Sequence, residues 1–179
     1  MGARKNCMID EVVVEYAYSI FADKGAANAS LADIAAACGI SKGTLYYYYP
    51  NREKLLAVCA ENCVKYMGDA ILCWAESLSQ EAEIAAVYTD LADIFSCDRA
   101  DVKLMLSLFR YENEEIQKLM AEALSQWRIM IEVGALRLGR RYSERFAALA
   151  STILYTLIGA AATGAERERT LAALGQLLS

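Results

Sequence analysis

The stretch from Ser41 to Tyr49 collects the side chains of this sequence that are best suited to binding chemistry. Ser-Lys-Gly-Thr-Leu leads into four consecutive tyrosines. Hydroxyl groups and a lysine can bind phosphate oxygens and base edges, and a glycine lets a nucleic-acid backbone approach closely. Tyrosine hydroxyls donate hydrogen bonds to phosphate without adding formal charge. This combination points to binding of nucleic acid at a local site.

The absence of histidine excludes several kinds of catalysis. The chain has no histidine among its 179 residues, so Ser-His-Asp, Cys-His and histidine-ligated zinc sites cannot form within it. No nucleophile stands beside a candidate base. We therefore expect a protein that is not an enzyme, with no catalytic residues, no metal site and no cofactor.

Two short helices around a glycine turn are predicted to position the binding stretch. Ser30 can cap a helix whose third residue is Asp33, and Gly39 can form the turn that follows. Ser41 can cap the next helix, in which Leu45 faces the apolar side. This spacing predicts a helix-turn-helix.

The run of tyrosines is expected to divide between the core and the surface, because successive helical residues point about 100° apart. Leu45 and Tyr49 are four residues apart and share the apolar side, so we expect Tyr49 to be buried. Tyr46, Tyr47 and Tyr48 then have polar tips available for DNA. The alternative is that the run is only aromatic packing.

The rest of the chain is predicted to be helical as well. It contains one proline, Pro50, and few alternating β-branched runs, so an all-α fold is expected. Apolar spacing and punctuation predict helices at about 7–24, 52–78, 81–97, 99–110, 114–138, 143–163 and 166–178. We place the functional boundary at the start of the long fourth helix. This gives a helix-turn-helix DNA-binding domain at residues 1–51 and a helical effector-binding and dimerisation domain at 52–179.

The sequence resembles the tetracycline-repressor (TetR) family of transcriptional regulators. The resemblance is detailed from Val12 to Leu56 and rests on Ile34-Ala35, Cys38-Gly39-Ile40-Ser41, Gly43-Thr44-Leu45-Tyr46 and Arg52-Glu53 with Leu55-Leu56. Cys38, Tyr49 and Arg52 replace the usual alanine, phenylalanine and lysine. The family fold implied is an N-terminal three-helix helix-turn-helix domain joined by a long helix to a C-terminal helical ligand-binding and dimerisation domain.

The resemblance implies a set of DNA-binding residues and a mode of action. Phosphate contacts are implied for Ser30, Ser41, Tyr46, Tyr47 and Arg52, and major-groove base contacts for Lys42, Gly43, Thr44 and Tyr48. The implied protein is a homodimeric repressor that a small-molecule effector releases from a palindromic double-stranded operator. Residues 1–56 hold six basic and six acidic side chains, so the net charge of −5 lies entirely in the remainder.

The C-terminal region is predicted to hold the effector and the dimer interface. The effector expected is small and hydrophobic or amphipathic. The candidate ligand-binding residues are large apolar or aromatic side chains of the middle helices: Tyr66, Met67, Trp74, Met105, Phe109 and Trp127. Residues 146–165 carry no charge. Their many small side chains favour a helix interface over a membrane span or an intrachain core helix.

Some features leave alternatives open. Cys59 and Cys63 have the i, i+4 spacing of a two-thiolate clamp, so a thiol- or metal-responsive regulator of the same fold is an alternative to simple packing. A helical adaptor that binds protein is another.

No signal segment opens the sequence, so we expect a cytoplasmic location and reduced thiols. Effector identity, operator sequence and the choice between repression and activation stay open.

Overall fold

The computed structural model describes residues 2–178, with side chains described from residue 9 onward, and no strand occurs in that range. The all-α prediction is confirmed. The helices are α1 Gly2–Lys24, α2 Leu31–Ala37, α3 Lys42–Tyr48, α4 Arg52–Ser77, α5 Ile84–Ile94, α6 Ala100–Phe109, α7 Glu114–Ala135, α8 Arg140–Ala148, α9 Ala150–Thr163 and α10 Arg167–Leu178.

The long helices α4 and α7 pack against each other over most of their length and form the centre of the C-terminal core. They lie close together at Gly134, where a Cβ atom would stand 2.6 Å from the Cβ of Ala75. Any larger side chain would force the two helices apart. Trp127 of α7 is almost completely buried in this core.

The first helix ties the N-terminal helices to the rest of the chain, since α1 packs against α2, α4 and α6. The hydroxyl of Tyr18 in α1 donates to Oδ1 of Asp101 in α6 at 2.7 Å. The backbone N–H of Ala26, just after α1, donates to Oγ of Ser107 at 2.6 Å. The N-terminal helices are therefore docked onto α6 by both packing and hydrogen bonds. The division between residues 51 and 52 stays a prediction.

The helix predicted at 143–163 is wrong as a single element. It is two helices, α8 and α9, bent by 66° at Leu149, and no glycine or proline marks the break. The bend lets both helices pack against α7, and the Phe146 ring of α8 also meets that of Trp74 in α4, with ring centroids 5.9 Å apart. No single helix among residues 2–178 is long and apolar enough to cross a bilayer, although α8 and α9 together pass that test on length and composition.

Candidate nucleic-acid interface

The connection between α2 and α3 has the geometry of a helix-turn-helix. Ser30 caps α2 in a reciprocal capping box with Asp33. Gly39 has φ +65°, a left-handed conformation that L side chains rarely adopt, so glycine suits the turn. Oγ of Ser41 then accepts the backbone N–H of Thr44 at 3.0 Å and caps α3. The capping residues predicted from the sequence are confirmed.

One side of α3 is anchored in the core. Leu45 is fully buried, and Tyr49, directly after the helix, is 8% exposed. The Tyr49 hydroxyl donates to Oδ1 of Asp10 at 2.7 Å. Burial, followed by this hydrogen bond, raises the pKa of Tyr49. Both residues are confirmed as core positions, so the buried side of α3 fixes the orientation of the helix.

The opposite side of α3 is open. Lys42 and Gly43 are exposed, as are Tyr46 at 51% and Tyr47 at 79% of their surface. We call these four residues the α3 face. Thr44 is half-buried at its edge, and its hydroxyl lies 2.8 Å from that of Ser41. The α3 face is polar, aromatic and free of carboxylates.

Tyr48 occupies a different position from the two tyrosines before it. It is half-buried, packs against the apolar core, and its ring meets that of Tyr47 edge to face, with centroids 5.4 Å apart. Its role as a base contact stays a prediction. The packing of Tyr48 supports Tyr47, which projects furthest from the helix.

An open groove of about 700 Å³ beside α3 brings together four of the nine predicted DNA-binding residues. These are Ser30, Lys42, Tyr46 and Arg52. The Ser30 hydroxyl already donates to Oδ2 of Asp33 at 2.7 Å, so a phosphate contact from Ser30 would require this proton to turn away. An ion pair with Lys24 and hydrogen bonds from Ser30 hold the pKa of Asp33 well below its usual range.

The Arg52 guanidinium points into the protein, where the resemblance had implied a phosphate contact. Its Nε donates to the carbonyl oxygen of Ala29 at 2.9 Å, and its Nη2 donates to the carbonyl oxygen of Ala26. Its Nη1 donates to the Tyr111 hydroxyl at 2.9 Å. Only 19% of the side chain is exposed. The reason is local: the loop after α1 presents carbonyl groups that have no helical partner, and a guanidinium satisfies several acceptors at once.

The six candidate ligand-binding residues do not converge on one cavity. Met67, Met105 and Trp127 are sealed in the core, at no more than 1% exposure. Trp74 is nearly buried and donates its indole N–H to the Val87 carbonyl, while Phe109 packs against the core. Of the six, only Tyr66 lines one of the described cavities, and that cavity lies between α1 and α4. The other five pack in or against the core, and their role in ligand binding stays a prediction.

The cysteine pair of α4 is buried and protonated. Cys59 and Cys63 have no exposed surface, and burial raises the pKa of each thiol to about 12. The Cys63 thiol donates to the backbone carbonyl of Asp101 at 3.3 Å. Among the residues whose side chains are described, no group of three or more cysteine, aspartate or glutamate side chains could hold a metal ion. The packing interpretation of this pair is favoured over the two-thiolate clamp.

Several residues that position the interface have no sequence signal of their own. Tyr111, Asp101 and Ser107 lie between 59 and 83 positions away from their partners Arg52, Tyr18 and Ala26. Tyrosine, aspartate and serine are common residues, and nothing near these three in the sequence sets them apart. Only the folded chain reveals that they clamp the N-terminal helices.

The structure thus combines an exposed α3 face on an anchored helix-turn-helix with a further region of helices. Residues 13–59 match the family model described as bacterial regulatory proteins, tetR family. Over this segment the chain is similar to the TetR family.

Two curated transcriptional regulators are similar to the chain in sequence, and a solved structure shares its fold. The chain is 31% identical over 97 residues to IcaR of Staphylococcus epidermidis, a negative transcriptional regulator of the icaADBC biofilm operon; the match covers 54% of the chain and about half, 51%, of IcaR. It is 29% identical over 154 residues to the transcriptional regulator LmrA of Bacillus subtilis, covering 83% of the chain and 81% of LmrA. A transcriptional regulator of Saccharomonospora viridis, crystallised with choline, has the same fold: the TM-score is 0.76 at 17% identity, with 93% of each chain covered.

Proposed function

We propose that the chain is a homodimeric repressor that inserts one α3 helix per subunit into successive major grooves of a palindromic operator. The observation that carries this proposal is the α3 face, which is exposed and polar while Leu45 behind it is fully buried. A helix fixed in this way can enter a groove without losing its packing. Such a regulator acts on bacterial DNA in the cytoplasm, and its action involves no chemical step.

The contacts proposed for this helix follow from the chemistry of its residues. Lys42 can reach the acceptor atoms of guanine, and the methyl group of Thr44 can meet that of thymine. Gly43 allows the DNA to approach the backbone closely. Tyr46 and Tyr47 donate their hydroxyl protons to phosphate oxygens, together with Ser41 at the rim. Arg52 is assigned a positioning role, because its guanidinium holds the loop after α1.

We propose that α9 forms the core of the dimer interface. Its exposed side carries Thr152, Tyr155, Gly159 and Ala162, and Tyr155 has 60% of its surface exposed. Small residues beside one aromatic allow two helices to pack closely across a two-fold axis. A dimer would place the two α3 helices on half-sites roughly 34 Å apart.

The proposed effector acts by shifting α6 relative to the N-terminal helices. The hydrogen bonds of Tyr18 to Asp101 and of Ala26 to Ser107 join α1 and the loop after it to α6. A small amphipathic or hydrophobic ligand that favours a second position of α6 would change the spacing of the two α3 helices and weaken operator binding. The S. viridis neighbour binds choline, which is an effector candidate of this size.

Selection of bound duplexes from a random pool tests the proposal. The expected product is a palindrome whose half-sites are separated by about one helical turn. Lys42→Ala and Tyr47→Ala should then lose retardation of that duplex while keeping the dimer, measured by light scattering. Failure to retain any duplex would favour the protein-binding adaptor. Equal operator affinity with and without a ligand of proven binding would reject the allosteric step.

A further inference from the structure

A cavity of about 490 Å³ lies between α1 and α4, next to the end of α3. Its walls are successive turns of the two helices, with Val14 and Tyr18 on one side and Val58 and Tyr66 on the other. Tyr49 also lines it. This volume falls in the range of about 300–1,000 Å³ that is typical of small-molecule sites. The cavity is separate from the α3 face and from the groove beside it.

The charge of the cavity is negative. Three carboxylates of α1 line it, those of Asp10, Glu11 and Glu15, and none of the described lining residues carries a positive charge. The nearby ammonium of Lys65 does not line the cavity, although its Nζ lies 5.8 Å from the centroid of the Tyr66 ring. This lysine is paired with Asp69 at 2.7 Å. A cation entering the cavity would therefore meet the carboxylates of Asp10 and Glu15, and no described lysine or arginine lines the cavity beside them.

The walls of the cavity are aromatic and aliphatic. The rings of Tyr18 and Tyr66 meet edge to face, with centroids 5.8 Å apart. Tyr18 is held in place by its hydrogen bond to Asp101, whereas Tyr66 has 47% of its surface exposed. Aromatic faces attract organic cations, and valine side chains favour alkyl groups over water.

From this combination we propose that the α1–α4 cavity binds an organic cation that carries an aryl or alkyl group, such as a quaternary ammonium compound. A bare metal ion is a poor fit, because the volume is far larger than one ion and the described residues offer no group of three metal ligands. The proposal goes beyond the function proposed above: the site lies outside the C-terminal core, and binding can be measured without DNA.

Two isosteric probes test the proposal by isothermal titration calorimetry on the full chain. (3-Hydroxyphenyl)trimethylammonium carries the positive charge, and 3-tert-butylphenol replaces its nitrogen with carbon. The cation should bind about tenfold more tightly than the neutral compound, because the shape is shared and only the attraction to carboxylates and rings differs. Equal affinities, or no heat from either probe, would overturn the proposal.

Variants locate the binding. Glu15→Gln and Tyr66→Leu should each weaken binding of the cation about threefold to tenfold. Glu61→Gln is the matched control, because Glu61 is an exposed carboxylate of α4 that does not line the cavity. This variant should bind the cation with the affinity of the parent chain. Unchanged affinity in both cavity variants, or an equal loss in the control, would place the cation elsewhere. Circular dichroism verifies that each variant is folded.

Discussion

Nη1 of Arg52 donates a hydrogen bond to the hydroxyl of Tyr111 at 2.9 Å, and so joins the first residue of α4 to the connection between α6 and α7. The guanidinium also lies 5.4 Å from the centre of the Tyr111 ring and 6.0 Å from that of Phe21 in α1. Through its bonds to the carbonyl groups of Ala26 and Ala29, the same side chain fixes the loop that leads into α2. One arginine thus connects the helix-turn-helix to the C-terminal helices.

We expect Arg52→Lys to destabilise the chain by about 2–3 kcal/mol. The planar guanidinium binds both carbonyl groups and the hydroxyl at once, whereas the single ammonium of a lysine cannot reach all three. Tyr111→Phe keeps the ring and removes one hydrogen-bond acceptor, so its expected cost is about 1.5 kcal/mol. Urea unfolding of both single variants and the double variant measures these values. Strict additivity of the two losses would contradict a direct interaction.

The orientation of Arg52 also predicts how DNA binding depends on salt. Lys42→Gln should reduce the slope of log affinity against log salt concentration by up to about 0.9 per subunit, because a cation that displaces counterions from the DNA groove is lost. Arg52→Gln should leave the slope unchanged while lowering the free energy of unfolding. Lys103→Gln, an exposed site on α6, controls for net charge. A slope reduced equally by Arg52→Gln and Lys42→Gln would place the guanidinium on phosphate in the complex.

Local features of the chain were predictable because they depend on neighbours in the sequence. The caps at Ser30 and Ser41, the left-handed turn at Gly39 and the burial of Leu45 each follow from residue type and spacing within a few positions. The bend at Leu149 was not predictable, since no glycine or proline marks it and the two helices meet α7 only in the folded chain.

The site residues also divide into those set by neighbours in the sequence and those set by distant contacts. The exposed tyrosines of α3 could be expected from helical spacing alone. The inward turn of Arg52 follows from the carbonyl groups of the loop after α1, and no spacing rule in the sequence links this arginine to Tyr111, its further partner 59 residues away. The ligand-binding role of the six candidate residues stays a prediction, because a large apolar side chain looks the same in a sequence whether it fills a core or lines a cavity.

Burial of the α4 cysteines predicts their order of reactivity. With pKa values of about 12, Cys59 and Cys63 should hold about one thiolate in ten thousand at pH 8. Brief alkylation at that pH followed by peptide mass spectrometry should modify the exposed Cys73 and Cys97 first. Early modification of Cys59 or Cys63 would revive the thiol-sensing alternative.

The same raised pKa values predict how stability changes in alkali. Unfolded thiols lose their protons near pH 9, whereas the folded ones keep theirs up to about pH 12. The contribution of these thiols is therefore complete below about pH 9 and is lost as the pH rises toward 12. The double variant Cys59→Ala, Cys63→Ala should show a smaller loss of stability over this interval in urea titrations. Parallel losses in the two proteins would contradict the burial effect.

Gly159 provides the sharpest test of the proposed dimer. A Cβ atom at this position would meet nothing within 4 Å in the single chain, so Gly159→Glu should not clash within the fold. Across a two-fold axis the same glutamate would keep the paired α9 helices apart and bury an unpaired charge, which is strongly unfavourable. We expect light scattering to report a monomer that keeps its helical circular dichroism and binds a single half-site weakly. Ala121→Glu, on the exposed side of α7, should stay dimeric; a dimeric Gly159→Glu would move the interface away from α9.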